Sequence, residues 1–248
     1  MKVAAYQAPL LRGGSLEALE LIRGRVEWCE SEGVDILCCP EAILGGLADD
    51  VADPTGIAIS VENDRLRTLL APLDSRSVTT IVGFTEIDAA GKLYNAAAVF
   101  HRGAIVGLYR KRFPAIRKSV YSAGDQSPVF TIGGLTFGIM ICSDTNHPEL
   151  AESMAARGAT VLFVPSNNGL RPDRADVVAL TRAVDVARAR ENHVIIVRAD
   201  VAGCTADRIA FGTSAIIGAD GTVLRAGERL REGILVAEVA VASSSERP

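Results

Sequence analysis

Three residues of this 248-residue chain stand where an apolar run gives out and a reactive side chain could be presented: Glu41, Lys111 and Cys142. Cys142 follows the apolar stretch LTFGIMI and precedes SDTNHPEL, which reads as the entry to a helix. A cysteine at such a turn lies near backbone N–H groups and the positive end of a helix, both of which favour thiolate over thiol. The plainer reading is a buried, inert core cysteine. Glu41 ends the run ILCCP, a poor place for a surface carboxylate and a good one for a general base. The alternative is a solvated loop glutamate. Lys111 follows AIVGLYR and could hold an oxyanion or a thiolate, although a basic pair more often marks a solvated face. A base, a cation and a nucleophile together are what acyl transfer through a thioester requires.

The elements that must position these side chains are short apolar strands alternating with amphipathic helices. Strands are expected at residues 1–7, 34–39, 78–86, 93–100, 104–109, 129–132, 135–141, 160–164, 193–201, 210–217, 222–225 and 234–239. Helices are expected at 16–32, with Ser15 as N-cap and Gly33 as stop, and at 63–73, 148–157 and 172–190. Residues 93–109 and 129–141 read as hairpins, which an all-parallel sheet would not contain; the pattern predicts packed sheets with helices outside. With no linker and no fixed-period repeat, one domain over residues 1–248 is expected, its last few residues a flexible tail.

The segments around the three residues resemble the nitrilase superfamily, the carbon–nitrogen hydrolases. Cys39-Pro40-Glu41 is similar to that family's strand-end Pro-Glu, and Tyr109-Arg110-Lys111-Arg112 to its Tyr-Arg-Lys signature. Cys142-Ser143-Asp144 with Pro148-Glu149 resembles its nucleophile motif. Arg188-Ala189-Arg190-Glu191-Asn192, Gly212-Thr213-Ser214 and Gln7 resemble further landmarks in the same order. The resemblance implies a four-layer α-β-β-α sandwich, often dimeric, with Glu41 as general base and Cys142 attacking a carbonyl or nitrile carbon. Lys111 and the N–H of Ser143 would hold the oxyanion. No metal or organic cofactor is implied. Ser143, Asn146, His147, Lys118 and Asn167 are the expected substrate-binding residues.

Two departures bear on the substrate. Lys118 stands three residues before Tyr121-Ser122-Ala123-Gly124, where many relatives have a second glutamate. Asn146 stands where several amidases and carbamoyl-amino-acid hydrolases have an arginine, so a substrate carboxylate would need Lys118 or Arg171. Ser143-Asp144 replaces the Trp-Glu of true nitrilases, which favours an amide or carbamoyl substrate over a nitrile. A nitrilase proper, or a catalytically weak binding protein on the same scaffold, are the alternatives.

Other constellations read more plainly. His147 is expected to pack or line the pocket rather than form a dyad with Cys142. Cys38 and Cys39 fall on opposite faces of a strand and read as two small hydrophobes. Asp173, Asp176 and Asp185 read as solvated partners of helix arginines. The five cysteines and three histidines lack metal-ligand spacing. A net charge of −4 offers no basic footprint for nucleic acid, and no run approaches a membrane span. A cytoplasmic enzyme of small molecules, assembled as a homodimer or higher homo-oligomer, is the expectation.

Overall fold

The strand Lys2–Pro9 divides its side chains between two cores. Val3 and Ala5 enter one apolar cluster, Ala4, Tyr6 and Ala8 the other, as a period of two requires. That division organises the whole computed structural model, which describes residues 1–115, 118–170, 174–206 and 208–241. The expected flexible tail, residues 242–248, lies outside the described residues.

In chain order the elements are β1 (Lys2–Pro9), α1 (Ala18–Glu32), β2 (Ile36–Cys38), α2 (Arg65–Leu70), β3 (Thr79–Ile87), β4 (Leu93–His101), β5 (Ala104–Arg110), β6 (Val129–Ile132), β7 (Leu135–Ile139) and α3 (Pro148–Ala156). There follow β8 (Val161–Pro165), β9 (Gly169–Leu170), α4 (Val177–Asn192), β10 (Ile195–Ala199), β11 (Val201–Cys204), β12 (Ile209–Phe211), β13 (Ala215–Ile217), β14 (Val223–Ala226) and β15 (Gly233–Glu238). One sheet runs β5-β4-β3-β2-β1-β11-β12-β9, with β15 also paired to β1; the other runs β14-β13-β10-β8-β7-β6.

The sheets face each other across Val3, Ile36, Cys38, Phe137, Phe163 and their neighbours. Helices α1 and α2 cover the outer face of the first sheet through Ile22, Val26, Leu66 and Leu70. Helices α3 and α4 cover the second through Leu150, Met154 and Ala189. This is the four-layer α-β-β-α sandwich. Each fully buried Leu, Ile, Val or Phe contributes about 1.5–3 kcal/mol through removal from water. Cys38 faces the inter-sheet core and Cys39 the helix side, as two small hydrophobes should.

Three expectations change. The run 193–201 is two strands in different sheets, β10 and β11, broken at Asp200. The run 210–217 is likewise β12 and β13, broken at Gly212-Thr213-Ser214, where Gly212 has φ +79° and lies against Gln7. The chain therefore crosses between the sheets at each of these breaks. The Thr213 N–H and hydroxyl both donate to Asp200 Oδ2, at 3.0 and 2.6 Å, and tie the two crossings together. The third change concerns α1: Ser15 Oγ accepts the Glu17 N–H at 3.1 Å, but the N-cap position itself is Glu17. Gly33 closes α1 in the left-handed conformation, as expected.

Candidate active site

Glu41 lies just beyond β2 and is 2% exposed. The chain reverses immediately after it, at Ala42, with φ +46°. Gly83 of β3 makes this possible, because a Cβ there would collide with the backbone of Pro40, Glu41 and Ala42. The Glu41 N–H donates to the Ser166 carbonyl at 3.2 Å, fastening the Glu41 turn to the end of β8 in the opposite sheet.

Lys111 follows β5 and is 3% exposed. Its N–H donates to the Asn95 carbonyl and its carbonyl accepts the Gly124 N–H, both at 2.8 Å. Its Nζ donates to Glu41 Oε1 at 2.6 Å, and Asn95 Nδ2 donates to the same oxygen at 2.7 Å. Glu41 Oε2 takes the Asn167 N–H at 3.0 Å. Burial works against the lysine charge, but Glu41 and the other acidic groups around it outweigh that and hold the ammonium above the ordinary lysine range.

Cys142 opens a short 3-10 turn, Cys142–Asn146, that leads from β7 into α3. Its φ of +49° is in the left-handed region, sparsely populated by residues with a side chain and common at functional turns. Asp144 secures this turn. Its Oδ2 accepts the Ile141 N–H at 3.0 Å and the Tyr109 hydroxyl at 2.7 Å, and its Oδ1 accepts the Phe113 N–H at 2.9 Å. The Lys111 strand end and the Cys142 turn, carried by different sheets, are thus bolted together by one buried carboxylate. The Thr145 hydroxyl donates to the Cys142 carbonyl at 2.9 Å.

The expectation of a thiolate at the helix entry is corrected. Burial and then Glu41 push the Cys142 thiol up to about 12, against the pull of Lys111 and Arg198. At neutral pH the group is a thiol, and attack by its sulfur would need a base to take the proton. The turn preceding α3 supplies too little positive potential to offset removal from water beside a carboxylate.

The thiol lies 3.8 Å from Asn168 Oδ1. The orientation of that amide is set by its neighbours. Asn168 Nδ2 donates to Asp200 Oδ2 at 3.1 Å and to Thr213 Oγ1 at 3.2 Å, while its N–H donates to Asp200 Oδ1 at 2.9 Å. Thr213 spends its own proton on Asp200, so it can only accept from Asn168. Asn168 therefore turns an acceptor toward the sulfur.

A cavity of about 330 Å³ opens at Cys142, lined also by Ser143, Asn146, Asn168, Leu180 and Arg198. Ser143 directs its hydroxyl to the Phe113 carbonyl at 3.2 Å, and Asn146 is exposed at the cavity wall. His147 stacks on Phe113 with ring centroids 3.4 Å apart and planes 7° apart, the packing role expected of it. Asn167 holds Glu41, donating its N–H to the carboxylate and its side-chain amide to the carbonyl at 3.4 Å. Lys118 is exposed and lines no wall of this cavity. Arg171 and Asp173 lie outside the described residues. Asp185 is corrected: it is fully buried, bound by Arg198 rather than by water. Among the described residues no cluster of three or more His, Cys, Asp or Glu side chains is arranged for a metal ion, and no helix is long and apolar enough to cross a membrane.

Asn95, Asn168, Arg198 and Asp200 escaped the sequence reading. Each had a signal: a polar or charged side chain inside or directly after an apolar strand, as in LYNAAAVF, VLFVPSNN and VIIVRAD.

The sequence profile described as carbon-nitrogen hydrolase matches residues 2–248. The chain belongs to the carbon–nitrogen hydrolases. This hydrolase is 29% identical over 227 residues to an (R)-stereoselective amidase of Pseudomonas sp, covering 90% of this chain and 80% of that one. It is 30% identical over 206 residues to a probable nitrilase of Schizosaccharomyces pombe, covering 81% and 74%. Among solved structures, a cysteine-to-serine variant of the Nesterenkonia AN1 amidase from the nitrilase superfamily superposes with a TM-score of 0.78 at 22% identity, over 97% of this chain and 92% of that one. The hydrolase thus has the nitrilase-superfamily fold as well as its sequence signatures.

Proposed function

We propose that this carbon–nitrogen hydrolase is an amidase-type enzyme that cleaves a small amide or N-carbamoyl compound through a thioester on Cys142. The observation that carries the reading is how Glu41 is held within the site. One carboxylate oxygen is fixed by Lys111 and Asn95 and the other by the Asn167 N–H, and the group is the foremost charge acting on the Cys142 thiol. A thiol that does not ionise unaided needs such a base within the site.

In the proposed sequence, Glu41 takes the thiol proton as sulfur attacks the carbonyl carbon. Lys111 and the Ser143 N–H receive the oxyanion. Glu41 returns the proton to the departing nitrogen, ammonia or an amine leaves, and a thioester remains. Water, deprotonated by the same carboxylate, then releases the acid and restores the thiol. With Lys118 exposed at the position of the second glutamate of many relatives, water activation falls to Glu41. The fixed acceptor of Asn168 favours an amide over a nitrile, since an amide nitrogen offers it a hydrogen and a nitrile nitrogen does not.

The test is intact-mass spectrometry of the protein with a panel of small amides, N-carbamoyl compounds and nitriles. An acyl adduct on Cys142, absent in Cys142→Ala together with all turnover, supports the reading. Undiminished hydrolysis by Cys142→Ala sinks it; action on nitriles alone establishes a nitrilase, and no adduct from any compound points to a binding protein. A homodimer is part of the same reading, to be checked by light scattering.

A further inference from the structure

Arg198 is among the largest fully buried side chains of the molecule, 1% exposed, on a strand otherwise written in Ile, Val and Ala. A guanidinium taken out of water is costly, and a buried Arg–Asp pair is commonly no more stable than a well-packed apolar pair of the same volume. Its placement therefore calls for another reason. Two nitrogens fork onto Asp185 of α4, Nε at 2.7 Å from Oδ2 and Nη2 on Oδ1. Nη2 also reaches Thr145 Oγ1 at 3.3 Å, and Nη1 binds Ser166 Oγ.

Those two hydroxyl residues are the ones that fasten the active site. Thr145 donates to the carbonyl of Cys142, and Ser166 supplies the carbonyl that receives the Glu41 N–H. Arg198 and Cys142 also line the same cavity. The charged groups facing the nucleophile are Glu41 from beyond β2, Lys111 from beyond β5, Asp144 from its own turn, Arg198 from β10 and Asp200 from beyond β10. Both cations are paired, Lys111 with Glu41 and Arg198 with Asp185, and both act on the sulfur, Lys111 the more strongly.

We propose that Arg198 is a positioning residue of this site: braced on Asp185, it joins the nucleophile turn through Thr145 to the base-holding segment through Ser166, and places a second positive charge behind Cys142. Asp185 tunes that charge, neutralising part of what the sulfur would otherwise feel. The inference rests on Cys142 being the nucleophile, yet it is read from thiol chemistry and needs no substrate.

The experiment is alkylation of the folded protein with iodoacetamide at pH 8, followed by peptide mass spectrometry, with exposed Cys204 as the internal reference. Arg198→Met removes the cation while keeping the bulk, and should slow Cys142 relative to Cys204 by about tenfold, one pKa unit of lost charge stabilisation. Asp185→Asn keeps the shape and one acceptor while freeing the arginine charge, and should speed Cys142 by about threefold. Loosened structure cannot produce opposite signs confined to one thiol. An unchanged Cys142 rate in folded Arg198→Met, or an unchanged or slower rate in Asp185→Asn, overturns the proposal. If Arg198→Met fails to fold, the sign in Asp185→Asn decides alone. Inactivity toward amides would tell against the proposed function and leave this rate comparison standing.

Discussion

Two buried ion pairs lie within this site, and they are built differently. Glu41 and Lys111 meet through one oxygen and one ammonium, and the carboxylate is shared with Asn95 and Asn167. Arg198 and Asp185 meet fork to fork and take their remaining bonds from hydroxyl groups. A guanidinium does not give up a proton under these conditions, and two parallel bonds fix its plane. A single ammonium–carboxylate contact leaves the carboxylate free to accept a proton while its position is kept. On the proposed function the first pair takes part in proton transfer, and the second holds its neighbours in place. Burial and charge are common to both, so neither alone identifies chemistry; the count and direction of the bonds do.

Breaking the first pair should give the largest effect. Glu41→Gln keeps the shape and removes the base, so turnover of an amide identified by adduct formation should fall about 10²–10⁴-fold in kcat, while the circular dichroism spectrum stays that of the parent. Retained kcat would move the base elsewhere. Breaking the second pair should show in stability. Arg198→Met leaves Asp185 buried without its partner and should lose about 3–5 kcal/mol, whereas adding Asp185→Leu should return most of that. Urea denaturation of the two variants checks it, and equal losses would mean that the pair is not the cause.

A smaller effect sharpens the comparison at the acceptor. Asn168→Leu should lower kcat/KM for an amide about tenfold, the cost of one unmet polar contact, and act less on an ester of the same acyl group. An equal loss on both substrates would remove Asn168 from recognition of the leaving nitrogen. The pH dependence follows from the raised thiol. Because the neutral form persists to about 12, alkylation of Cys142 should keep rising from pH 6 to pH 10. A plateau reached by pH 7 would show a preformed thiolate.

How much of this could be read from the sequence varies with how local the cause is. The strand ends that present Glu41, Lys111 and Cys142 are local features, set by apolar runs, Pro40 and the polar stretch after Ile141, and they were legible together. The Gly33 stop and the two hairpins were legible for the same reason. The division of residues 193–201 and 210–217 between two sheets was not. Apolar residues resume directly after both breaks, and the cause is the pairing of Asp200 with Thr213, thirteen residues apart. Asp185 was misread because helical spacing names its neighbours on α4, while its partner stands on β10. The thiol of Cys142 was misjudged because a helix entry can be seen in sequence and the depth of burial around it cannot.

Glu41 and Lys111 are carried by the first sheet, Cys142 by the second and Asn168 by the connection between them, and the two sides meet through Asp144 and through the Ser166 carbonyl. Neither sheet alone holds a complete set of reacting groups. On the proposed function, Cys142 has no base during folding until the sheets have docked, so the chain carries an unassisted thiol for as long as its core is open. Catalysis then serves as a gauge of docking: any treatment that slides one sheet on the other should silence the enzyme while both sheets keep their strands.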